Sequence, residues 1–237
     1  MKTTFLLSKT RQRLLLLLFA AAVLFTSCLK DENHYSVQAA GVALINAAPG
    51  SPALDFISDG NRNYLPASFG YDTVLPYWGA YPGFRVFGVT IHGSNDLLGS
   101  QQFHLEPGDA YSLFVTDTIG AVKLVLFKDS LDLPDSTVAK IRFANMSANA
   151  PALNLVLKGE ATKTISQVVY PKATDFEEIE PGNTYSVELV DAGKNKVLAT
   201  KTNIKIEKGH IYTVWARGIY QHTSDSKKMG ISMMENR

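Results

Sequence analysis

One stretch of sequence occurs twice in this chain: it reads LINAAPGSPALD at residues 44–55 and FANMSANAPALN at residues 143–154. The copies share an asparagine, Asn46 in the first and Asn145 in the second, followed six residues later by the triplet Pro-Ala-Leu. Both agreements occur at a separation of 99 residues. An internal repeat of this length indicates that a whole domain has been duplicated.

Further agreements extend the repeat along the chain. The shift of 99 residues also aligns the turn Pro82-Gly83 with Pro181-Gly182, and Gly60 with Gly159. After a two-residue insertion, Tyr111 aligns with Tyr212. We therefore expect two domains, at residues 41–130 and 138–237, joined by a linker at residues 131–137.

Each copy has the pattern of short β-strands separated by turns. The segment Tyr185–Val190 alternates polar and apolar residues with period two, as a half-buried strand does. Proline and glycine interrupt the apolar runs, as in Pro82-Gly83 and Glu106-Pro107-Gly108. Roughly seven such strands per copy are typical of an immunoglobulin-like sandwich. The sequence thus predicts an all-β protein with two tandem Ig-like antiparallel β-sandwiches.

The repeated polar residues have structural explanations. A strand-end asparagine such as Asn46 or Asn145 can satisfy free N–H groups of the following turn. A proline fixes the backbone at the start of the next strand, where a missing donor is tolerated. We expect Tyr111 and Tyr212 to act as tyrosine corners, with a buried ring and a hydroxyl bonded to backbone.

These motifs resemble the family named domain of unknown function 4397. The resemblance covers about residues 41–237 and rests on the Asn strand end, the Pro-Ala-Leu strand, the Gly turn and the later Gly-x-x-Tyr strand starts. It implies a secreted protein or lipoprotein of bacterial type. The family supplies no catalytic residues to carry over.

The N-terminus has the layout of an export signal. Four basic residues precede the unbroken apolar run Leu14–Phe25, which is too short to span a bilayer as a helix. The sequence Thr-Ser-Cys then ends at Cys28, the only cysteine of the chain, and resembles the Bacteroidetes lipobox. The resemblance implies cleavage of a signal peptide at residues 1–27 and acylation of Cys28. An uncleaved anchor is the alternative.

The residues after the cysteine predict a location. Lys30, Asp31 and Glu32 resemble the signal that exports Bacteroidetes lipoproteins to the outer face of the outer membrane. The alternative is that these charges are those of any flexible tether. Residues 28–40 would be the lipidated cysteine and its tether. Loss of residues 1–27 removes four basic and no acidic residues, so the precursor's charge of +1 becomes −3. We therefore expect a membrane partner through the lipid and no nucleic-acid partner.

The composition and the motifs argue against other classes of protein. With 46% hydrophobic and 19% charged residues the chain is not a disordered one, and a single cysteine excludes a disulfide scaffold. The chain has no Gly-x-Ser-x-Gly motif, and its five histidines have no metal-ligand spacing. We interpret Asp59–Asn63 as a hairpin turn rather than a calcium loop, and the carboxylates in Asp175–Glu180 as solvated. No catalytic residue, metal or cofactor is predicted.

One aromatic segment, Tyr71–Phe84, stands out from the repeat. Trp78 and Tyr81 align with Glu177 and Glu180, so the shared fold does not require these two rings. They are the candidate ligand contacts, for a glycan or a protein. The alternative is that they cover the open end of the sandwich or the interface between the domains.

Together these features predict a membrane-anchored, surface-exposed lipoprotein that acts as a non-catalytic binding or adhesion module. The alternative function is a structural component of an envelope or extracellular assembly, joined through exposed strand edges.

Overall fold

The structure is a computed structural model that describes residues 38–63 and 69–237. The predicted signal peptide, Cys28 and the export residues Lys30, Asp31 and Glu32 lie outside the described residues. The described residues all belong to one compact unit. Within the described part of the chain, no helix has the length and apolar character needed to cross a membrane.

The first sandwich contains eight described strands and one short 3-10 helix at Ile119–Ala121. The strands are β1 (Ala40–Asn46), β2 (Leu54–Ser58), β3 (Asn61–Asn63), β4 (Thr73–Ala80), β5 (Gly83–Ile91), β6 (Leu97–Leu105), β7 (Ala110–Thr116) and β8 (Lys123–Asp129). They form an inner sheet of order β4-β1-β7-β8 and an outer sheet of order β3-β2-β5-β6. Leu44, Phe56, Phe87 and Leu113 are among the buried residues of the core between these sheets.

The second sandwich repeats this strand order. Its strands are β9 (Ala139–Asn145), β10 (Leu153–Lys158), β11 (Thr162–Val168), β12 (Lys172–Ala173), β13 (Glu177–Ile179), β14 (Gly182–Asp191), β15 (Lys196–Ile206), β16 (Ile211–Arg217) and β17 (Gly230–Glu235). The inner sheet has the order β12-β9-β16-β17, with β13 also on β9, and the outer sheet has the order β11-β10-β14-β15. The all-β sandwich fold is confirmed. The stretch between β8 and β9 contains the predicted linker, and the domain boundaries stay a prediction.

Each inner sheet also contains one parallel strand pair, which the sequence analysis did not predict. β1 pairs with β7 in parallel, and β9 pairs with β16 in parallel. The partners in each pair are separated by five or more strands, so no hairpin forces them into opposite directions.

The repeated asparagines fix the turn after the first strand of each sandwich. Both are fully buried. The Asn46 Oδ1 accepts hydrogen bonds from the Ala48 N–H and the Ser51 hydroxyl, each at 3.1 Å. The Asn145 side chain accepts a bond from the Ser147 N–H at 3.2 Å and donates to a backbone carbonyl at 3.0 Å. The predicted role in the turn is confirmed.

The two tyrosine corners are also confirmed. Tyr111 and Tyr212 are buried, and their hydroxyls accept hydrogen bonds from the backbone N–H of Glu106 (2.9 Å) and Glu207 (3.1 Å). Burial raises the pKa of both hydroxyls. Each bond spans five residues, so the ring pins the turn that begins β7 or β16 to the core.

The two inner sheets pack against each other and form a third core. Ala43, Ile45 and Phe114 of the first sandwich meet Met146 and Trp215 of the second. The rings of Phe114 and Trp215 contact edge to face at 5.8 Å between centroids. On β1, therefore, Val42 and Leu44 point into their own sandwich while Ala43 and Ile45 point into the neighbouring one. A strand buried on both faces has no polar alternation.

A buried ion pair crosses this interface. Arg142 on β9 and Asp129 on β8 are almost completely buried, and the Arg142 Nη2 lies 2.6 Å from the Asp129 Oδ1. The Arg142 guanidinium also donates to the hydroxyls of Ser112 and Thr213, each at 2.9 Å. The Asp129 carboxylate accepts bonds from Ser112 and from Tyr77, whose pKa is raised by burial and by this carboxylate. Both charges are thus compensated by partners from both sandwiches.

We expect Arg142→Met to lower the free energy of unfolding by about 3–5 kcal/mol, because it leaves Asp129 buried and unpaired. Denaturant unfolding followed by tryptophan fluorescence measures this loss. Lys158→Ala is the matched control, since it removes the exposed pair with Glu188 (2.7 Å) and should cost about 1 kcal/mol or less. Equal losses in the two variants would contradict the importance of the buried pair.

Candidate functional site

The structure separates the two rings that the sequence singles out. Trp78 is half-buried, and its ring contacts those of Phe56 and Phe87 at centroid distances of 5.6 and 6.4 Å. It lines an apolar hollow of about 260 Å³ together with Leu44 and Leu75. Among the described residues, its buried Nε1 has no hydrogen-bond acceptor. Trp78 therefore packs against the core of the first sandwich, and its role as a ligand contact stays a prediction.

Tyr81 lies instead on the surface, with 81% of its area exposed, in the turn between β4 and β5. Phe84, at the start of β5, is 66% exposed. Its ring contacts that of His104 on β6 at 4.6 Å between centroids, and the His104 Nδ1 lies 3.2 Å from a carboxylate oxygen of Glu106. We call Tyr81, Phe84 and His104 the ring surface.

Phe84 is a candidate that the sequence analysis missed. The inward residues of β5 are Phe87 and Val89, both fully buried, so Phe84 and Val86 belong to the opposite, solvent-facing side of the strand. Because β5 has apolar residues on both faces, its sequence does not show which of them face the core and which face solvent. The repeat held the missing signal, because the shift of 99 residues aligns Phe84 with Asn183.

The second sandwich has a different surface at the same place. β14 begins at Gly182 as β5 begins at Gly83, and Glu180 and Asn183 stand where the first sandwich has Tyr81 and Phe84. The fold therefore forms without rings at these positions. Because only the first sandwich has rings at these positions, the rings are not required for packing and form a surface that is available for contact.

A buried aspartate on β2 is the most highly connected carboxylate near this sheet. The Asp55 side chain pairs with the His92 Nδ1 at 2.8 Å and with Arg62 at 3.1 Å, and it accepts a bond from the Gly93 N–H at 3.0 Å. Burial favours a raised pKa for Asp55, but the hydrogen bonds from Gly93 and His92, aided by Arg62, hold it below the ordinary value. Because every oxygen is occupied, Asp55 fastens the β3 hairpin to the β5–β6 turn.

The candidate metal and acid-base sites gain no support from the geometry. Asp59 and Gly60, both with positive φ, form a two-residue turn between paired residues Ser58 and Asn61, which confirms the hairpin. Glu177 pairs with Lys163 at 2.8 Å on the surface. In the described part of the chain no group of three His, Cys, Asp or Glu side chains is arranged to hold a metal ion.

The different burial of Trp78 and Tyr81 predicts different effects on stability. Trp78→Ala should lower the free energy of unfolding by about 3 kcal/mol, because it empties a partly buried aromatic site. Tyr81→Ala should change it by less than about 0.5 kcal/mol. Chemical denaturation measures both, and a large loss in Tyr81→Ala would mean that this ring also serves the fold.

Three solved structures resemble the chain weakly. They are a family 41 carbohydrate-binding module from streptococcal virulence factors, described for alpha-glucan recognition (11% identity, 81% of this chain and 95% of that one, TM-score 0.27); a Bacteroides uniformis protein described as a candidate cell adhesion protein (11%, 83% and 99%, 0.26); and a family CBM26 module of Eubacterium rectale Amy13K, solved with maltoheptaose (9%, 79% and 100%, 0.26). These low TM-scores support no inference about a ligand.

Among curated proteins, the chain has no matching sequence. A family model does match, over residues 40–156, which contain all of the first sandwich and the start of the second. The match covers just under half of the chain, so membership of the whole chain stays a prediction. The model that matches residues 40–156 is that of the family described as Domain of unknown function (DUF4397).

Proposed function

We propose that the protein is a lipid-anchored, non-catalytic binding module that is exposed at the cell surface. The observation that carries the binding role is the ring surface. Tyr81 and Phe84 expose 81% and 66% of their areas at positions where the second sandwich has a glutamate and an asparagine. Exposure of large apolar rings to water costs free energy, and a partner that covers the rings removes this cost.

The proposed ligand is a glycan. The ring faces are flat and uncharged, and Phe84 is held at a fixed angle against His104, so a sugar face can stack without ordering a flexible side chain. Tyr81 adds a hydroxyl for hydrogen bonding. A protein ligand, anchored by the same two rings, is the other outcome that the binding test distinguishes.

The proposed anchor is the acylated Cys28, and the proposed location is the outer membrane, facing outward. The first described residue, Gln38, lies against Gly108, where a Cβ would meet its Oε1 at 2.7 Å. Nine residues separate Cys28 from Gln38. At about 3.3–3.6 Å for each of the ten steps from Cys28 to Gln38, such a tether reaches about 35 Å at most, which keeps the sandwiches close to the lipid surface.

A non-catalytic role agrees with the side chains available. The carboxylates Glu177 and Glu178 are exposed, and Glu177 is paired with a lysine. A general acid or base usually lies in a pocket that shifts its pKa and holds the substrate. An enzyme would show activity that is sensitive to Glu177 or Glu178.

The binding test compares two double variants on a glycan array and in pull-downs. Tyr81→Ala/Phe84→Ala should weaken ligand binding about tenfold or more, since aromatic anchors dominate such contacts. Val197→Ala/Leu133→Ala is the matched control, because these exposed apolar side chains lie outside the ring surface. Binding that survives in the ring variant, or falls equally in the control, would contradict the proposed site.

The anchor has its own test. We expect mass spectrometry of the membrane-extracted protein to give a chain that begins at an acylated Cys28. Cys28→Ser should move the protein from the membrane fraction to the soluble fraction, because its lipid is lost. An intact leader with an unmodified thiol would refute the anchor while leaving the ring surface untouched.

The alternative function, a structural component of an extracellular assembly, is favoured by a separate observation. The first sandwich has an edge strand, β6, without a charged or proline residue to prevent pairing with another chain.

A further inference from the structure

The strand β6 is the edge of the outer sheet of the first sandwich. Among the described strands its only hydrogen-bonded partner is β5. Its inner side chains Phe103 and Leu105 pack on the core, while Gln101, Gln102 and His104 are exposed. Among the described residues, no strand pairs with the other side of its backbone, which can therefore accept an additional strand.

The composition of β6 is unusual for an open edge. Its nine residues, LLGSQQFHL, contain no Lys, Arg, Asp, Glu or Pro. Natural proteins commonly place such residues on edge strands to prevent pairing between molecules. The other described edge strands follow that rule: Arg62 in β3, Pro76 in β4, Lys123 and Lys128 in β8, Lys163 in β11, Lys172 in β12, Glu177 and Glu178 in β13, Lys196, Lys201 and Lys205 in β15, and Glu235 in β17.

The second sandwich provides an internal comparison. β15 occupies the place of β6 in the strand order and carries three lysines. With the two-residue insertion, Lys201 aligns with Ser100 and Lys205 with His104. The same edge is therefore protected in one sandwich and unprotected in the other, so the fold itself does not demand a neutral β6.

The accessible part of β6 is its second half. A Cβ on Gly99 would meet the Val122 carbonyl oxygen at 2.9 Å, so the first residues of β6 lie close to the chain that leads into β8. From Ser100 to His104 four of the five side chains are exposed, and Gln102 is the centre of this stretch.

We infer that β6 pairs with β6 of a second copy of this chain, in antiparallel orientation and centred on Gln102. Antiparallel pairing lets two identical strands exchange the same hydrogen bonds, which a two-fold axis requires. The pairing would place Gln102 opposite itself and Ser100 opposite His104, so no like charges meet. Of the edge strands described, β6 itself is the neutral strand of matching length.

This inference deepens the alternative function and does not rest on the ring surface. A single strand pair buries less area than a stable standard-size interface, so we expect weak association of the soluble protein. Anchoring by lipid raises the local concentration of the copies and strengthens the pairing, as for any linked binding sites. The test accordingly uses the membrane-anchored protein.

The test is disulfide formation between copies in vesicles. If Cys28 is acylated, Gln102→Cys carries the one free thiol of the chain, and directly opposed residues of an antiparallel pair lie within disulfide range. We expect mild oxidation to yield covalent dimers of Gln102→Cys and at least tenfold fewer of Thr202→Cys, an exposed residue of β15. Adding Ser100→Lys, which copies Lys201, should reduce the dimer severalfold.

Equal dimer yields from Gln102→Cys and Thr202→Cys, or no effect of Ser100→Lys in a variant with unchanged thermal stability, would overturn the inference. The chain without an added cysteine distinguishes the two proposals. If this chain forms dimers, Cys28 has a free thiol and the proposed anchor is wrong. The strand pairing is then tested in a Cys28→Ser background that is held on vesicles by a C-terminal tag.

Discussion

The central strands of both inner sheets are buried on both faces, and the rest of the structure depends on this constraint. On β7, Leu113 and Val115 face the core of the first sandwich while Phe114 faces the second. Such strands have no side left for solvent, so each polar group on them needs a partner within the protein. Arg142 meets this requirement with Asp129 and the hydroxyls around it. The contact that joins the sandwiches is therefore both apolar and charge-compensated.

The sequence predicted the elements that depend on local chemistry. The asparagine turns, the tyrosine corners and the β-strand class followed from residue types at fixed spacing, because each needs only a few neighbours in the chain. The packing of the inner sheets did not follow. The apolar run Val42–Ile45 fits a strand buried on one face with apolar neighbours as well as one buried on both. The parallel pairing of β1 with β7 was missed because it joins segments that are distant in the sequence.

The candidate site was predicted in part for a related reason. The repeat identified Tyr81 as a ring that the fold does not need, and the same comparison marks Trp78, which the structure buries beside Phe56. A residue that differs between the copies can therefore serve either a new surface or a new core contact. Only the strand register separates these two cases. That register also brings in Phe84 and His104, which lie directly opposite each other on β5 and β6.

The ring surface and the neutral edge lie on the same two strands, and this proximity has a geometric consequence. A two-fold axis perpendicular to the sheet keeps the outer faces of both copies on one side, so the joined sheets would present two ring surfaces together. Gln38 lies beside the turn that follows β6, so antiparallel pairing puts the two tethers at opposite ends of a strand about 30 Å long. The proposed tethers have a reach similar to the length of this strand. They would therefore anchor both copies in one membrane only if the paired strands lie along the membrane surface. In that orientation a long ligand can contact both ring surfaces at once, and two weak contacts act as one stronger contact.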